Sequence, residues 1–306
     1  MVAVVLCFGL FSTGAIATPN VVVSIPPIHS LVSSVMQGVA KPILLIPGGQ
    51  SPHANSLKPS ALRELSRADL VVWISPDFEI SLRKAITLRR NTRLITLVDI
   101  PKMHLLSARQ SEFRDVGHDN HQSTHLPFIK TKNDTIPDFH LWLSPENAIE
   151  IARAVENTLR EIDVDNSTKY KRNTQQLIEK IQNTRIIIKE TLLPVKADSY
   201  LLFHDAYSYF EQAFGLSPVG AVTLSPEKKS GLKTLLAIKQ YINERDIKCV
   251  FHEPQFEPRL VTRIAKETGI RTGELDPIGA EIAPGPNLWF ELMFSLRDNL
   301  LRCLQY

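Results

Sequence analysis

From residue 166 to residue 193 the chain runs without a glycine or a proline, although it contains 13 glycines and 20 prolines. Nothing in NSTKYKRNTQQLIEKIQNTRIIIKETLL breaks a helix. Asn166 or Ser167 can cap its start, and Pro194 follows its end. At 1.5 Å per residue such a helix spans roughly 35–40 Å. Its apolar positions, Leu177, Ile181, Ile186, Ile187 and Leu192, are sparse at first and denser later. That suits a helix joining two bodies rather than one buried in a core. The alternative is an ordinary surface helix of a single domain.

On either side, short β-rich runs alternate with amphipathic segments. Strands are expected at 20–25, 42–46, 70–74, 93–96, 200–203, 216–219 and 248–251. Helices are expected at 29–36, 59–66, 78–89, 144–159, 231–243 and 258–268. Such alternation predicts an α/β fold of βαβ units with mainly parallel sheets. Leu-Ser-Pro-Glu occurs at 143–146 and again at 224–227. Ser as N-cap, Pro at the first helical position and Glu in the first turn mark each as a helix entry. The organisation expected is a leader at 1–17, an N-terminal α/β lobe at 18–165, a linking helix at 166–193 and a C-terminal α/β lobe at 194–306.

The leader is expected because the first 17 residues carry no charge. VAVVLCFGLF forms an apolar core, and Ala15-Ile16-Ala17 fits a small-x-small cleavage site. Residues 1–17 therefore read as a secretory signal peptide, with a short strand or membrane anchor as the alternative. No other apolar run reaches spanning length, so the mature chain is expected to be exported and not membrane-embedded. The net charge of +3 is small, and there is no Lys/Arg run, which argues against nucleic acid. Export leaves Cys249 and Cys303. In an oxidising compartment a pair is most simply a disulfide; two buried thiols are the alternative.

Three histidines sit where a hydrophobic strand runs out. His53 lies beyond strand 42–46 through Pro47-Gly48-Gly49. His204 directly follows strand 200–203. His140 stands between a polar loop and a capped helix. Ligands of open α/β sheets bind at the carboxyl ends of strands, and imidazole suits zinc and other borderline-soft divalent metals. With His53 and His140 from one lobe and His204 from the other, zinc would join the halves. The fourth ligand should be an oxygen donor or water. Asp276 in GELDPIGA is the best candidate and Glu253 a further option. Asp205 points away from its neighbour His204. His29, His104 and His252 are read as non-ligands. The polar loop at about 105–138 carries His118, His121 and His125, a spacing for weak metal capture or simply a solvated loop.

The strings GGQSPHANSLKPSALRELSRADLVVWISPDFE, DFHLWLSPENA, LLFHDAYSYFEQAFGL, CVFHEPQF and GELDPIGA together resemble the periplasmic zinc-binding component of high-affinity zinc-uptake ABC transporters. This is the metal-binding branch (cluster A-I, or cluster 9) of the solute-binding proteins. The resemblance runs along essentially the whole mature chain. It implies two similar (β/α) lobes joined by a long rigid helix, with one tightly held Zn²⁺ between them as cargo. It also implies metal ligands at His53, His140, His204 and Asp276, a Cys249–Cys303 disulfide, a monomer in the periplasm, and an ABC permease as partner. Manganese-binding members usually carry Glu where this chain has His204, so the nitrogen-rich set points to zinc, with Mn²⁺ or Fe²⁺ cargo as the alternative. The His-rich loop of zinc-type members is short here.

A His₃ site with water in fourth place is also a hydrolase arrangement. The chain has no HExxH and no Gly-x-Ser-x-Gly, and Asp276 as fourth ligand would leave no place for an activated water. The expectation is a carrier and not an enzyme. An adhesin-like surface role, which relatives suggest, is disfavoured because no lipid-anchor motif is evident.

Overall fold

Two four-stranded sheets, each wholly parallel, form the frame. The computed structural model describes residues 18–50, 57–87, 92–109, 136–223, 232–256 and 259–305. The expected signal peptide, His53, His118, His121, His125 and the second Leu-Ser-Pro-Glu lie outside the described residues.

The first lobe runs β1 (Val21–Val23), α1 (Pro26–Val35), β2 (Ile43–Leu44), α2 (Pro59–Arg67), β3 (Leu70–Trp73), α3 (Ile80–Thr87) and β4 (Arg93–Thr96). Two long helices follow, α4 (Pro145–Ile162) and α5 (Ser167–Thr191). The second lobe runs β5 (Ser199–His204), α6 (Ser208–Phe214), β6 (Gly220–Thr223), α7 (Leu232–Glu244), β7 (Ile247–His252), α8 (Arg259–Thr268) and β8 (Arg271–Glu274). It ends in α9 (Leu288–Gln305). The strand orders are β2-β1-β3-β4 and β6-β5-β7-β8. Counted within its own lobe, each sheet therefore reads second, first, third, fourth. The lobes repeat one topology.

Alternation along the strands divides the core. On β5, Tyr200 and Leu202 join the main hydrophobic core, while Leu201 and Phe203 face a smaller cluster with Ile238, Ile242, Val250, Val261 and Ile264. The main core runs from one lobe to the other, because α9 packs on β7 and β8 but also on α1 and α5.

The Gly- and Pro-free stretch is one continuous helix, α5. Its buried stripe is Tyr170, Thr174, Leu177, Ile181, Thr184 and Ile188, which alternate at four- and three-residue steps against α4, α1 and α9. Ile186 and Ile187 are instead largely exposed. Neither expected cap acts as one. Asn166 gives its amide to Asp163, at 2.9 and 3.1 Å, and no side-chain oxygen caps the helix. Asn173 donates to Val35 O and Gln37 O at 3.0 and 2.8 Å, which ties α5 to the end of α1. At α4 the expected cap forms: Ser144 Oγ accepts from Asn147 N at 3.1 Å.

The strand expected at 216–219 is displaced to Gly220–Thr223. Pro218 has no N–H for a ladder, and Leu216 is buried just after Gly215, which ends α6 at φ +71°. Strand β8 and helices α6 and α9 add to the elements expected. Polar Arg-Thr-Gly-Glu gives little strand signal because it forms a mostly exposed sheet edge.

Cys249 of β7 and Cys303 of α9 form a disulfide that fastens α9 to the second sheet. It closes a sequence separation of 54 residues. Reduction, or replacement of both cysteines by alanine, is expected to lower the unfolding free energy by about 4 kcal/mol on chain-entropy grounds. Denaturant unfolding with and without reductant measures it; coincident curves would show the bond to be energetically idle.

Candidate metal centre

In a parallel sheet of order 2-1-3-4 the ligand crevice opens between the carboxyl ends of the first and third strands. In the second lobe these are β5 and β7. His204 is the last residue of β5, and Glu253 directly follows β7. Their side chains meet there: His204 Nδ1 and Glu253 Oε1 are 3.1 Å apart, with only 5% and 3% of each side chain exposed.

The other lobe supplies His140 just before a single helical turn, Leu141–Leu143. Its Nδ1 lies 2.8 Å from Asp138 Oδ1, and its main-chain N–H donates to the same oxygen at 2.9 Å. Burial alone would raise the Asp138 carboxyl. The His140 charge and the hydrogen bonds from His140 outweigh it and hold the group below its usual range. A carboxylate at Nδ1 favours the Nδ1–H tautomer, so a metal bound by His140 would be met through Nε2, and the Glu253 contact would act in the same way on His204. The two imidazoles face each other across the lobes, with centroids 5.1 Å apart at 74°. Phe78 and Trp142 stand edge-on to His140, and Phe256 to His204. This aromatic wall limits water and gives nearby charges a low dielectric.

Asp138→Asn is expected to weaken metal binding about 10- to 100-fold, the usual penalty for losing a carboxylate that orients a ligating histidine. Chelator competition at fixed pH reads it directly; parent affinity would mean that Asp138 does not orient His140.

Phe78 is itself held by a buried carboxylate. Glu79 accepts from Ile74 N and Ser75 N at 3.0–3.1 Å, closing the turn after β3. Burial pushes its carboxyl up to about 7, against the hydrogen bonds from the main chain. A raised folded-state pKa means that the native chain holds this proton where the unfolded chain has lost it. The stabilisation is complete below about pH 4.5 and is lost as pH rises through about 7. Glu79→Gln is therefore expected to flatten the fall of unfolding free energy between pH 5 and 7, measured by denaturant titration. An unchanged slope would rule the group out as its source.

Asp276 lies on a segment pinned to that of His140. Trp142 Nε1 donates to Pro277 O at 2.7 Å, and Trp289 Nε1 donates to Trp142 O at 2.8 Å. The Asp276 carboxylate accepts from Gln255 Nε2 at 2.6 Å, Ile278 N at 3.0 Å and Ala280 N. Beside it, Tyr207 donates to Leu275 O at 2.8 Å. Burial, with the charges of Glu253 and Asp276, holds the Tyr207 hydroxyl well above its usual value.

His53 lies outside the described residues, but the chain leading to it is placed. Gly48 sits so close to Ala280 that a Cβ would come within 2.6 Å of the Ala280 Cα. The glycine turn after β2 thus rests on the loop that begins at Asp276.

The structure brings His140 and His204 together and carries the Asp276 segment up to them. Among the described residues, no three His, Cys, Asp or Glu side chains form a metal-holding group. Asp205 is turned into an ion pair with Arg109. His29 sits 3.0 Å from Pro42 O and His104 2.9 Å from Gln212 Oε1, while His252 lines a cavity with Arg271 and Arg302. Sequence reasoning missed Asp138, whose signal was the Asp-x-His spacing, and offered Glu253 only as a further option for the fourth ligand; the structure sets its carboxylate 3.1 Å from His204 Nδ1.

Residues 21–303 match the family described as zinc-uptake complex component A, periplasmic (ZnuA). The high-affinity zinc uptake system protein ZnuA of Brucella abortus (strain 2308) is 37% identical, over 93% of this chain and 91% of the relative. The protein of that name from Yersinia pestis is 33% identical, over 95% and 92%. A crystal structure of ZnuA superposes with a TM-score of 0.78 at 21% identity, covering 94% of this chain and all of that one. At that identity it supports the fold.

Proposed function

Because the chain belongs to the family of periplasmic zinc-uptake complex component A proteins, we propose that it takes up one Zn²⁺ between its lobes and delivers it to the permease of an ABC importer. The ligands in this reading are His53, His140, His204 and Asp276. The observation that carries it is the meeting of His140 and His204 from different lobes, each with Nδ1 on a buried carboxylate.

Nitrogen ligands discriminate against calcium and magnesium, which prefer oxygen. Proton and metal compete for the same imidazole nitrogens, so lowering the pH favours release. Ordering by affinity would favour copper over zinc, so geometry and metal availability must set the cargo.

Residues 1–17 act in this reading as the cleaved export signal, 18–165 and 194–306 as the two lobes and 166–193 as the link between them. The mature chain works as a monomer without catalysis. His118, His121 and His125 add weak metal capture. No helix among the described residues is long and apolar enough to cross a membrane, which accords with a carrier that meets its permease from outside the bilayer.

A competition titration of the metal-free chain from residue 18 onward, with Zn²⁺ and Mn²⁺ against a chromophoric chelator, tests the reading. One tight zinc equivalent with much weaker manganese binding supports it. Preference for manganese would keep the fold and change the cargo. The absence of any tight site would overturn it.

A further inference from the structure

The short helix α6 begins four residues after His204, and its side chains reach into the other lobe. Tyr209 Oη donates to Asp138 O at 2.7 Å and accepts from Leu106 N at 3.0 Å. Gln212 meets His104 at 2.9 Å. The His104 segment is itself anchored on α4, where Asn147 Oδ1 accepts from His104 N and Asn147 Nδ2 donates to His104 O.

Arg109 closes this joint. Its Nε donates to both oxygens of Asp205, at 2.9 and 3.0 Å, and its Nη2 reaches the same carboxylate. Its Nη1 pairs with Glu211 Oε2 at 2.8 Å. Glu211 also accepts from Tyr200 Oη at 3.0 Å. The Asp205 and Glu211 side chains are only 6% and 4% exposed. Two buried carboxylates repel each other unless a cation stands between them, and guanidinium forks onto both where ammonium could not. Asp205 adjoins His204, so the fork fixes the strand end that carries one imidazole. Tyr209 fixes the peptide that carries the other.

We infer that Arg109 is an interlobe positioning residue. Through Asp205 and Glu211 it holds the His204 strand end against the His140 segment and so sets how long the metal is retained. The inference rests on His140 and His204 as ligands. A metal bridging those imidazoles favours the same lobe apposition that the Arg109 fork favours, so each stabilises the other. Retention, more than capture, should register the fork, because changes within one interface act mostly on dissociation.

Arg109→Ala would leave two buried carboxyl groups without their cation and risks misfolding. Two variants avoid this. Arg109→Lys keeps the charge but loses the fork. The triple variant Arg109→Met, Asp205→Asn, Glu211→Gln removes all three charges with little change of volume. Each is loaded with one Zn²⁺, and zinc dissociation is followed by stopped-flow chase with excess chelator. The melting temperature of each metal-free variant is recorded in parallel. The expected result is zinc release about 5- to 150-fold faster than in the parent, the usual span of coupling between sites. Release at the parent rate overturns the inference, including where the metal-free melting temperature falls, since that marks a purely structural pair. His204→Ala in the same assay separates the two readings. If it releases zinc at the parent rate, the ligand assignment has failed. If it loses zinc while the Arg109 variants release at the parent rate, only the role of Arg109 has failed.

Discussion

His140→Ala and His204→Ala are each expected to weaken zinc binding roughly 100- to 1,000-fold. Zinc held by four protein ligands is bound by about 10–16 kcal/mol, which leaves about 3 kcal/mol for each ligand. Removal of His204 also strips Glu253 of its buried partner, a cost that falls on folding stability rather than on zinc affinity. Asp276→Ala is expected to cost less, because water can take the place of a monodentate oxygen. Chelator-competition titration checks all three. Parent affinity in a histidine variant would remove that residue from the metal shell.

Gly48→Ala is the second large effect, although the residue binds nothing. A methyl there would meet the Ala280 Cα at 2.6 Å and the Ala280 carbonyl oxygen at 3.0 Å. Backbone cannot rotate aside as a side chain can, so one lobe must draw back from the other. Overpacking of this kind costs about 1–3 kcal/mol, which corresponds to roughly 5- to 150-fold in zinc affinity if the strain falls on the closed, metal-holding arrangement. The adjacent Gly49→Ala is the control, because nothing among the described residues lies within 4 Å of its added Cβ. Equal zinc affinity in the two variants would mean that the Gly48–Ala280 contact does not position the site.

These two predictions differ in how far the sequence foretold them. The position of His204 was legible because it terminates an apolar run, and strand ends are where α/β sheets place ligands; His140 instead precedes a helical turn, Leu141–Leu143, and ends no strand. The parallel fold was legible because strand and helix periods alternate, and α4 announced itself through Ser144, Pro145 and Glu146. The inward face of α5 was not, because Asn173, Thr174 and Thr184 are buried on it while Ile186 and Ile187 face outward. There tertiary hydrogen bonds such as that from Asn173 to Val35 O replace the apolar signal. The start of β6 was misplaced because Leu216 is buried without being in a strand. The oriented imidazoles were half legible: Asp138 stands two residues from His140, whereas Glu253 is 49 residues from His204 and meets it only through the pairing of β5 with β7. The close approach of Gly48 to Ala280 spans both lobes, and no local pattern reports such a contact.

One metal ion is expected to bridge the lobes through His204 at the end of β5 and His140 at the start of the turn Leu141–Leu143. Zinc-edge anomalous diffraction from crystals of the zinc-loaded mature chain tests this most directly. The account predicts one dominant peak about 2.0–2.1 Å from the Nε2 atoms of His140 and His204, with His53 and an Asp276 oxygen completing the tetrahedron. A dominant peak elsewhere, or one bound by a single lobe, would contradict it.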